Sequence, residues 1–255
     1  MSATRFNKIK VPAAYQMVAD AIEREIMSGR LRPGDQVGTE AELVRQFGVN
    51  RSTVREGIRL LEQSGLVQRE AGRKLHVCPP HYKSLSSRMS RAMVLGQVTF
   101  REIHDATLVL ELMSVGGAID HAGEEDIAAL EENQREAEEA AGDPTRLARL
   151  DTNFHALLAR AAGNRVLELA REPSALLMFP TTELICRSVP EGAGRLIGAH
   201  RHLIDAIKSR DKDEAKIWMT RHVEDWKKGF ERAGRNIEEP VSQVIERLSP
   251  ANLFE

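Results

Sequence analysis

Asp151 and His155 stand four residues apart in a stretch of helical periodicity, so their side chains share one helix face about one turn apart. His200, in A-H-R-H-L-I-D-A-I, and His222, in M-T-R-H-V, each lie on an amphipathic segment of their own. One carboxylate and three imidazoles from three helices can converge inside a bundle and hold a divalent ion. Such a nitrogen and oxygen set suits Zn²⁺, Ni²⁺, Mn²⁺ or Fe²⁺. Spacing alone leaves a bland alternative open: an Asp-x-x-x-His pair is more often a structural hydrogen bond, and the chain has eight His to choose from.

A second cluster has a different chemistry. Arg51, Ser52, Thr53 and Arg55 crowd the first turn and a half of a short amphipathic stretch that Asn50 would cap. Arg pairs with guanine through two parallel hydrogen bonds, and short hydroxyls reach phosphate or base. Cations at a helix N-terminus oppose the macrodipole, so folding alone would sooner place acids there. The competing reading is a solvated charged face.

The elements that must position these residues follow from pattern. Pro12 opens a helix whose apolar face is Ala14, Met17, Val18, Ala21, Ile22 and Ile26, and Ser28-Gly29 ends it. Arg32-Pro33-Gly34-Asp35 is a turn. Thr39 and Glu42 have capping-box spacing ahead of Leu43, Val44 and Phe47, with Gly48 as the stop. A third helix then buries Val54, Ile58 and Leu61, completing a helix-turn-helix. Residues 66–77 read as two short strands around a Gly turn, with Arg73 and Lys74 at a basic tip. These elements form a DNA-binding domain over 1–78, joined by a stiff Pro-containing linker over 79–85.

From Ser84 onward the pattern is helical, broken near Gly96, Gly123, Gly142-Asp143-Pro144, Gly163-Asn164, Pro190 to Gly194 and Arg210-Asp211. The expected fold is mainly α, with an antiparallel bundle of about seven helices over 86–235 and a tail over 236–255 whose short amphipathic stretch, Val241 to Leu248, packs on a partner or frays. Met113, Met178 and Met219 read as core filling, and Trp218 and Trp226 as packing for the final helix. The overall charge of −2 hides an asymmetry: residues 1–80 carry 13 Lys and Arg against 9 Asp and Glu, and the remainder 23 against 29. Only the first part is suited to a polyanion. Neither a membrane-spanning run nor a signal peptide is visible, and Cys78 and Cys186 fit no ligand or redox spacing, which points to the cytoplasm.

The motifs I-M-S-G-R-L-R-P-G-D, T-E-A-E-L and F-G-V-N-R-S-T-V-R-E-G-I-R-L-L-E-Q-S-G-L-V make residues 15–77 resemble the winged helix of the GntR family of bacterial regulators. The resemblance, closest to the fatty-acid regulator branch, implies DNA contacts from Asn50, Arg51, Ser52, Thr53, Arg55 and Gly72, with Arg73 beside them on the wing. D-T-N-F-H-A-L-L-A-R-A-A-G-N, H-R-H-L-I-D-A-I and A-K-I-W-M-T-R-H-V make residues from about 86 to 229 similar to the FCD ligand-binding domain. That likeness implies Asp151, His155, His200 and His222 as ligands of a divalent metal, Zn²⁺ foremost with Ni, Mn or Fe as alternatives. It also implies a small organic-acid or sugar-acid effector, a homodimer and a palindromic double-stranded operator.

Several positions depart from the family pattern. Ala41 stands where Arg is usual, Lys74 replaces a wing glycine, and Ala199 replaces a Glu before His200. Thr107 occupies the place of an Arg that grips the effector, with His104 one turn earlier, and these two become the effector-binding candidates. Thr cannot form the bidentate pair that Arg makes with carboxylate, so another side chain such as Arg187 or Arg195 must be considered. The leading expectation is a ligand-responsive regulator, a repressor before an activator. A metal-dependent enzyme fused to a DNA anchor, or a constitutive regulator with a structural metal, are the alternatives. An enzyme is not expected, because the sequence shows no general base with a recognisable partner and no nucleophile motif.

Overall fold

The computed structural model describes residues 12–69, 74–78 and 82–243, with side chains from 86 onward in the last stretch. Two compact units divide the chain, Met1–Ser84 and Leu85–Glu255.

In the first unit, α1 (Ala14–Met27), α2 (Glu40–Phe47) and α3 (Arg51–Ser64) accompany a small sheet. Thr39 closes the capping box at α2: its hydroxyl accepts from the Glu42 amide, and the Glu42 carboxylate accepts from the Thr39 amide at 2.7 Å. Gly48 ends α2 in the left-handed region (φ 66°), where a side chain would be strained. Asn50 caps α3 by accepting from the Thr53 amide at 2.8 Å. Val54, Ile58 and Leu61 of α3 pack on Val18 and Ile22 of α1 and Leu43 of α2. At Gly57 the α1 backbone approaches so closely that a Cβ would lie 2.8 Å from the Tyr15 carbonyl oxygen.

The wing strands β2 (Val67–Arg69) and β3 (Leu75–Val77) pair antiparallel, with Val67 opposite Val77 and Arg69 opposite Leu75. A third strand, β1 (Gln36–Gly38), adds to the other edge of β3, giving the order β1-β3-β2. Sequence pattern did not suggest β1, because three residues carry too little alternation to register. Gly72 and Arg73 lie outside the described residues, as do residues 79–81 of the expected linker.

The second unit holds seven helices among the described residues: α4 (Tyr82–Leu95), α5 (Phe100–His121), α6 (Glu124–Glu139), α7 (Pro144–Ala161), α8 (Arg165–Ser188), α9 (Gly192–Ser209) and α10 (Lys212–Arg232). Their boundaries fall at the expected breaks. One core joins Val115, Leu130, Phe154, Leu158, Leu203, Ile207, Met219 and Val223 from α5, α6, α7, α9 and α10. Met113 departs from expectation: it faces outward on α5, more than half exposed, whereas Met219 is buried.

The tail also departs from expectation over its described part. Ile237 and Val241 are buried with Phe100, Leu177 and Phe230. The Val241 amide donates to the Val98 carbonyl and the Arg101 amide to the Ile237 carbonyl. Residues 237–241 therefore complete the bundle core, because their apolar side chains fill the space over the α4–α5 turn. Residues 244–255 lie outside the described residues.

Candidate metal centre and nucleic-acid interface

Four donors meet at the centre of the bundle. Asp143 caps α7 by accepting from the Arg146 amide, and Pro144 occupies the first turn, which sets the helix that carries Asp151 and His155. His200 comes from α9 and His222 from α10. Asp151 Oδ1 lies 3.3 Å from His200 Nε2, 3.7 Å from His155 Nε2 and 3.8 Å from His222 Nε2. The Nε2 atoms of His155 and His222 are 3.0 Å apart, and all four donors lie within 4.8 Å of one another. Phe154 stacks on His200 with ring centroids 3.7 Å apart, fixing that imidazole's plane. Glu111 of α5 holds the far side of His155, its Oε2 lying 2.9 Å from Nδ1.

Electrostatics favours donation. Burial would push the Asp151 carboxyl up, but the imidazoles facing it, His200 nearest, outweigh burial and hold it well below the usual carboxylate range. Burial, reinforced by the neighbouring His200 and His155, takes His222 down to about 3. His200 is lowered chiefly by burial as well. His155 alone moves up: burial opposes its charge, but the Glu111 and Asp151 carboxylates more than compensate. The arrangement thus presents an ionised carboxylate and the lone pairs of His200 and His222, while His155, favoured in its charged form by the two carboxylates, would release a proton on binding a metal.

Asp151 Oδ1 and His200 Nε2 are buried and make no hydrogen bond among the described residues. An ion holding donors at about 2.0–2.2 Å would set neighbouring donors roughly 3.0–3.5 Å apart, close to these separations. The residues fit a divalent ion. His200 Nδ1 is likewise buried without a hydrogen bond among the described residues, as expected with Ala199 in place of a Glu.

Beside the donors lies a cavity of about 80 Å³. Asp151, His155 and His222 line it, together with Thr107 and Glu111 of α5 and a stripe of α8. Thr107 donates its hydroxyl to Met178 Sδ at 3.4 Å. His104 is not part of the lining; it is buried beside Trp226, with Nδ1 3.1 Å from Asp105 Oδ1. Arg195 reaches the cavity, while Arg187 is exposed and pairs with Glu183 at 2.6 Å. Arg171 and Cys186 of α8 also line the cavity, and sequence reading singled out neither. Burial pushes the Cys186 thiol up to about 12, so it faces the cavity as neutral S–H.

In the first unit, Arg51 and Arg55 are exposed on the opening turns of α3, as is Ser52. Ser52 donates its hydroxyl to Asn50 Oδ1 at 2.7 Å, and Thr53 is half-buried. The nearly buried Glu40 gathers three arginines: Arg69 of β2 at 2.9 Å, Arg51 at 3.3 Å and Arg55 at 3.9 Å.

Residues 14–77 match the family described as bacterial regulatory proteins of the gntR family, and residues 102–225 match the FCD domain. The chain belongs to the GntR family. It is 27% identical over 220 residues to the uncharacterized HTH-type transcriptional regulator YdhC of Bacillus subtilis, covering 84% of this chain and 90% of that one. With the HTH-type transcriptional repressor NanR of Salmonella schwarzengrund it shares 28% identity over 214 residues, covering 82% and 81%. A Streptococcus agalactiae GntR structure has the same fold, with a TM-score of 0.58 at 22% identity over 84% of this chain and 99% of that one. This GntR protein is a DNA-binding transcription regulator with a ligand-binding FCD domain, and not an enzyme. No described helix is long and apolar enough to cross a membrane.

Glu40, in the first turn of α2, stands between arginines of two elements. Its carboxylate tethers the arginines of α3 to Arg69 at the root of the wing. Glu40→Gln removes the tether and one negative charge from the face that carries Arg51 and Arg55. Non-specific DNA affinity is expected to rise while specific affinity falls, so that their ratio drops by about tenfold, the worth of one well-aimed contact. Competition anisotropy with specific and random duplexes measures that ratio; an unchanged value would remove Glu40 from recognition.

Proposed function

We propose that this regulator is a cytoplasmic, homodimeric repressor whose two winged helices bind a palindromic operator and whose helical domain senses a small carboxylate beside a divalent ion. Asp151, His155, His200 and His222 would hold the ion, Zn²⁺ foremost with Ni, Mn or Fe as alternatives. Asn50, Arg51, Ser52, Thr53 and Arg55, with Gly72 and Arg73 of the wing, would meet the DNA. The observation that carries the reading is the convergence of four buried or half-buried donors, three of which line a small cavity. The repressor assignment is supported by similarity to proteins named as repressors.

When bound, the ion would supply a fixed positive charge and open positions for an anionic ligand. The chain does the rest. Glu111 fixes the His155 ring, Phe154 fixes that of His200, and Leu110, Met178, Phe179 and Trp226 exclude water around a ligand's apolar part. A ligand touching α5, α7, α8 and α10 together can favour one packing of these helices over another. It shifts DNA affinity only by as much as its own affinity differs between those packings.

Elemental analysis of the purified protein, paired with operator release on adding organic acids, tests the proposal. About one divalent ion per chain and acid-dependent release are expected. An ion-free protein, or one whose DNA binding ignores every acid, would overturn it.

A further inference from the structure

Resting on that carboxylate-sensing reading, we propose that Arg171 is the anchor for the effector and that the effector carries a single carboxylate. Thr107 lacks a cation, so the α5 wall cannot grip an anion as an arginine would. Across the cavity, α8 presents one continuous face at helical spacing: Arg171, Ser174, Met178, Thr182 and Ile185 all line the space. Arg171 heads this stripe and is only 6% exposed. An arginine so buried must have partners, and those present are loose: Nε lies 3.4 Å from Glu111 Oε1 and Nη1 lies 3.3 Å from Glu172 Oε1. Its Nη2 donates no hydrogen bond among the described residues, which leaves guanidinium N–H donors for a ligand.

The alternatives are weaker. Arg187 points to solvent, and the charge of Arg195 is offset by Asp225, another lining residue, 3.9 Å from its Nε.

Counting charge narrows the ligand further. Among the lining groups Arg195 and Asp225 offset each other, and Glu172 lies outside the lining with over a third of its side chain in water. A divalent ion, the Asp151 and Glu111 carboxylates and the Arg171 guanidinium then leave a net charge of about +1 when the imidazoles are neutral. One carboxylate neutralises it; a second would leave an uncompensated negative charge in a buried space, which is costly. Size agrees. A cavity of about 80 Å³ takes a few waters or a ligand of a few heavy atoms. Ser174 and Thr182 offer hydroxyls, and Met178 and Ile185 an apolar floor. The chemical class is a short monocarboxylic acid, with or without a hydroxyl.

Full-length protein loaded with Zn²⁺ is titrated calorimetrically with propionate and lactate, and with malonate and succinate, while metal content and melting temperature are followed in parallel. At least one monocarboxylate is expected to bind, and each dicarboxylate about tenfold or more weaker. Arg171→Gln is expected to weaken the monocarboxylate roughly 10–100-fold, the worth of a hydrogen bond to a charged group, with the metal retained. Arg171→Lys, which keeps the charge but loses the fork, should fall between and guards against misfolding of the Gln variant. Unchanged monocarboxylate affinity in metal-loaded Arg171→Gln would overturn the anchor, and tighter binding of succinate than propionate would overturn the charge argument. A wild-type protein that takes up no metal would instead sink the earlier reading, and this one with it.

Discussion

Arg55→Ala in the full-length regulator is expected to weaken specific DNA binding by roughly thirtyfold to ten-thousandfold, with Arg51→Ala in the same range. Each guanidinium projects from the first turns of α3 with about two thirds of its side chain exposed, and neither contributes to the buried face made by Val54, Ile58 and Leu61. A lost arginine contact costs about 1–3 kcal/mol. A twofold dimer loses it twice, hence about 2–6 kcal/mol per complex. Folding should be nearly untouched. Removing a cation from a helix N-terminus relieves an unfavourable dipole interaction, and the pairing lost is that of a mostly exposed arginine with Glu40, which Arg69 still holds, worth under about 1 kcal/mol. Fluorescence anisotropy on a duplex selected from a random pool, beside a thermal melt, separates the two effects. Wild-type affinity in both variants would remove α3 from the DNA interface.

The parts of this molecule that sequence reveals are those governed by neighbours in the chain. Thr39 and Glu42, Asn50 and Thr53, and Gly48 act over three or four residues, and their caps are all present. Asp151 and His155 were legible for the same reason, being one turn apart on one helix. Joining them to His200 and His222 needed the family resemblance, since nothing local states that α7, α9 and α10 converge.

Arg171 was not legible, although it is one of the most buried cations. Its burial depends on Glu111, 60 residues earlier, and in the sequence it is simply one of 36 Lys and Arg. The usable signal was the spacing of Arg171, Ser174 and Met178, a polar-to-apolar stripe on a helix that otherwise reads as core. Pro173 and Pro180 obscure that stripe further, because each removes a backbone donor from the interior of α8 and would normally mark a helix end. The packing of Ile237 and Val241 under Phe100 is invisible for the same long-range reason.

Stripping the metal is expected to lower the melting temperature of the helical unit by roughly 8–16 °C. An ion bound at a thousand times its dissociation constant stabilises the fold by about 4 kcal/mol, and a domain of 150–250 residues shifts by about 2–4 °C per kcal/mol. The fold should persist without the ion, because Phe154, Leu158, Leu203, Ile207 and Met219 form a continuous apolar core around the donors. Asp151→Asn should bind metal more weakly by more than the roughly 10–100-fold that loss of an outer partner costs, since it removes the only charged donor. A chelator should then barely move its melting point. Calorimetric scans of both proteins with and without chelator decide the matter: equal melting points for chelated and metal-loaded wild type would show that the four side chains hold no ion. A lowered melting point with carboxylate binding intact would assign the ion to structure alone and leave the Arg171 wall to bind the effector unaided.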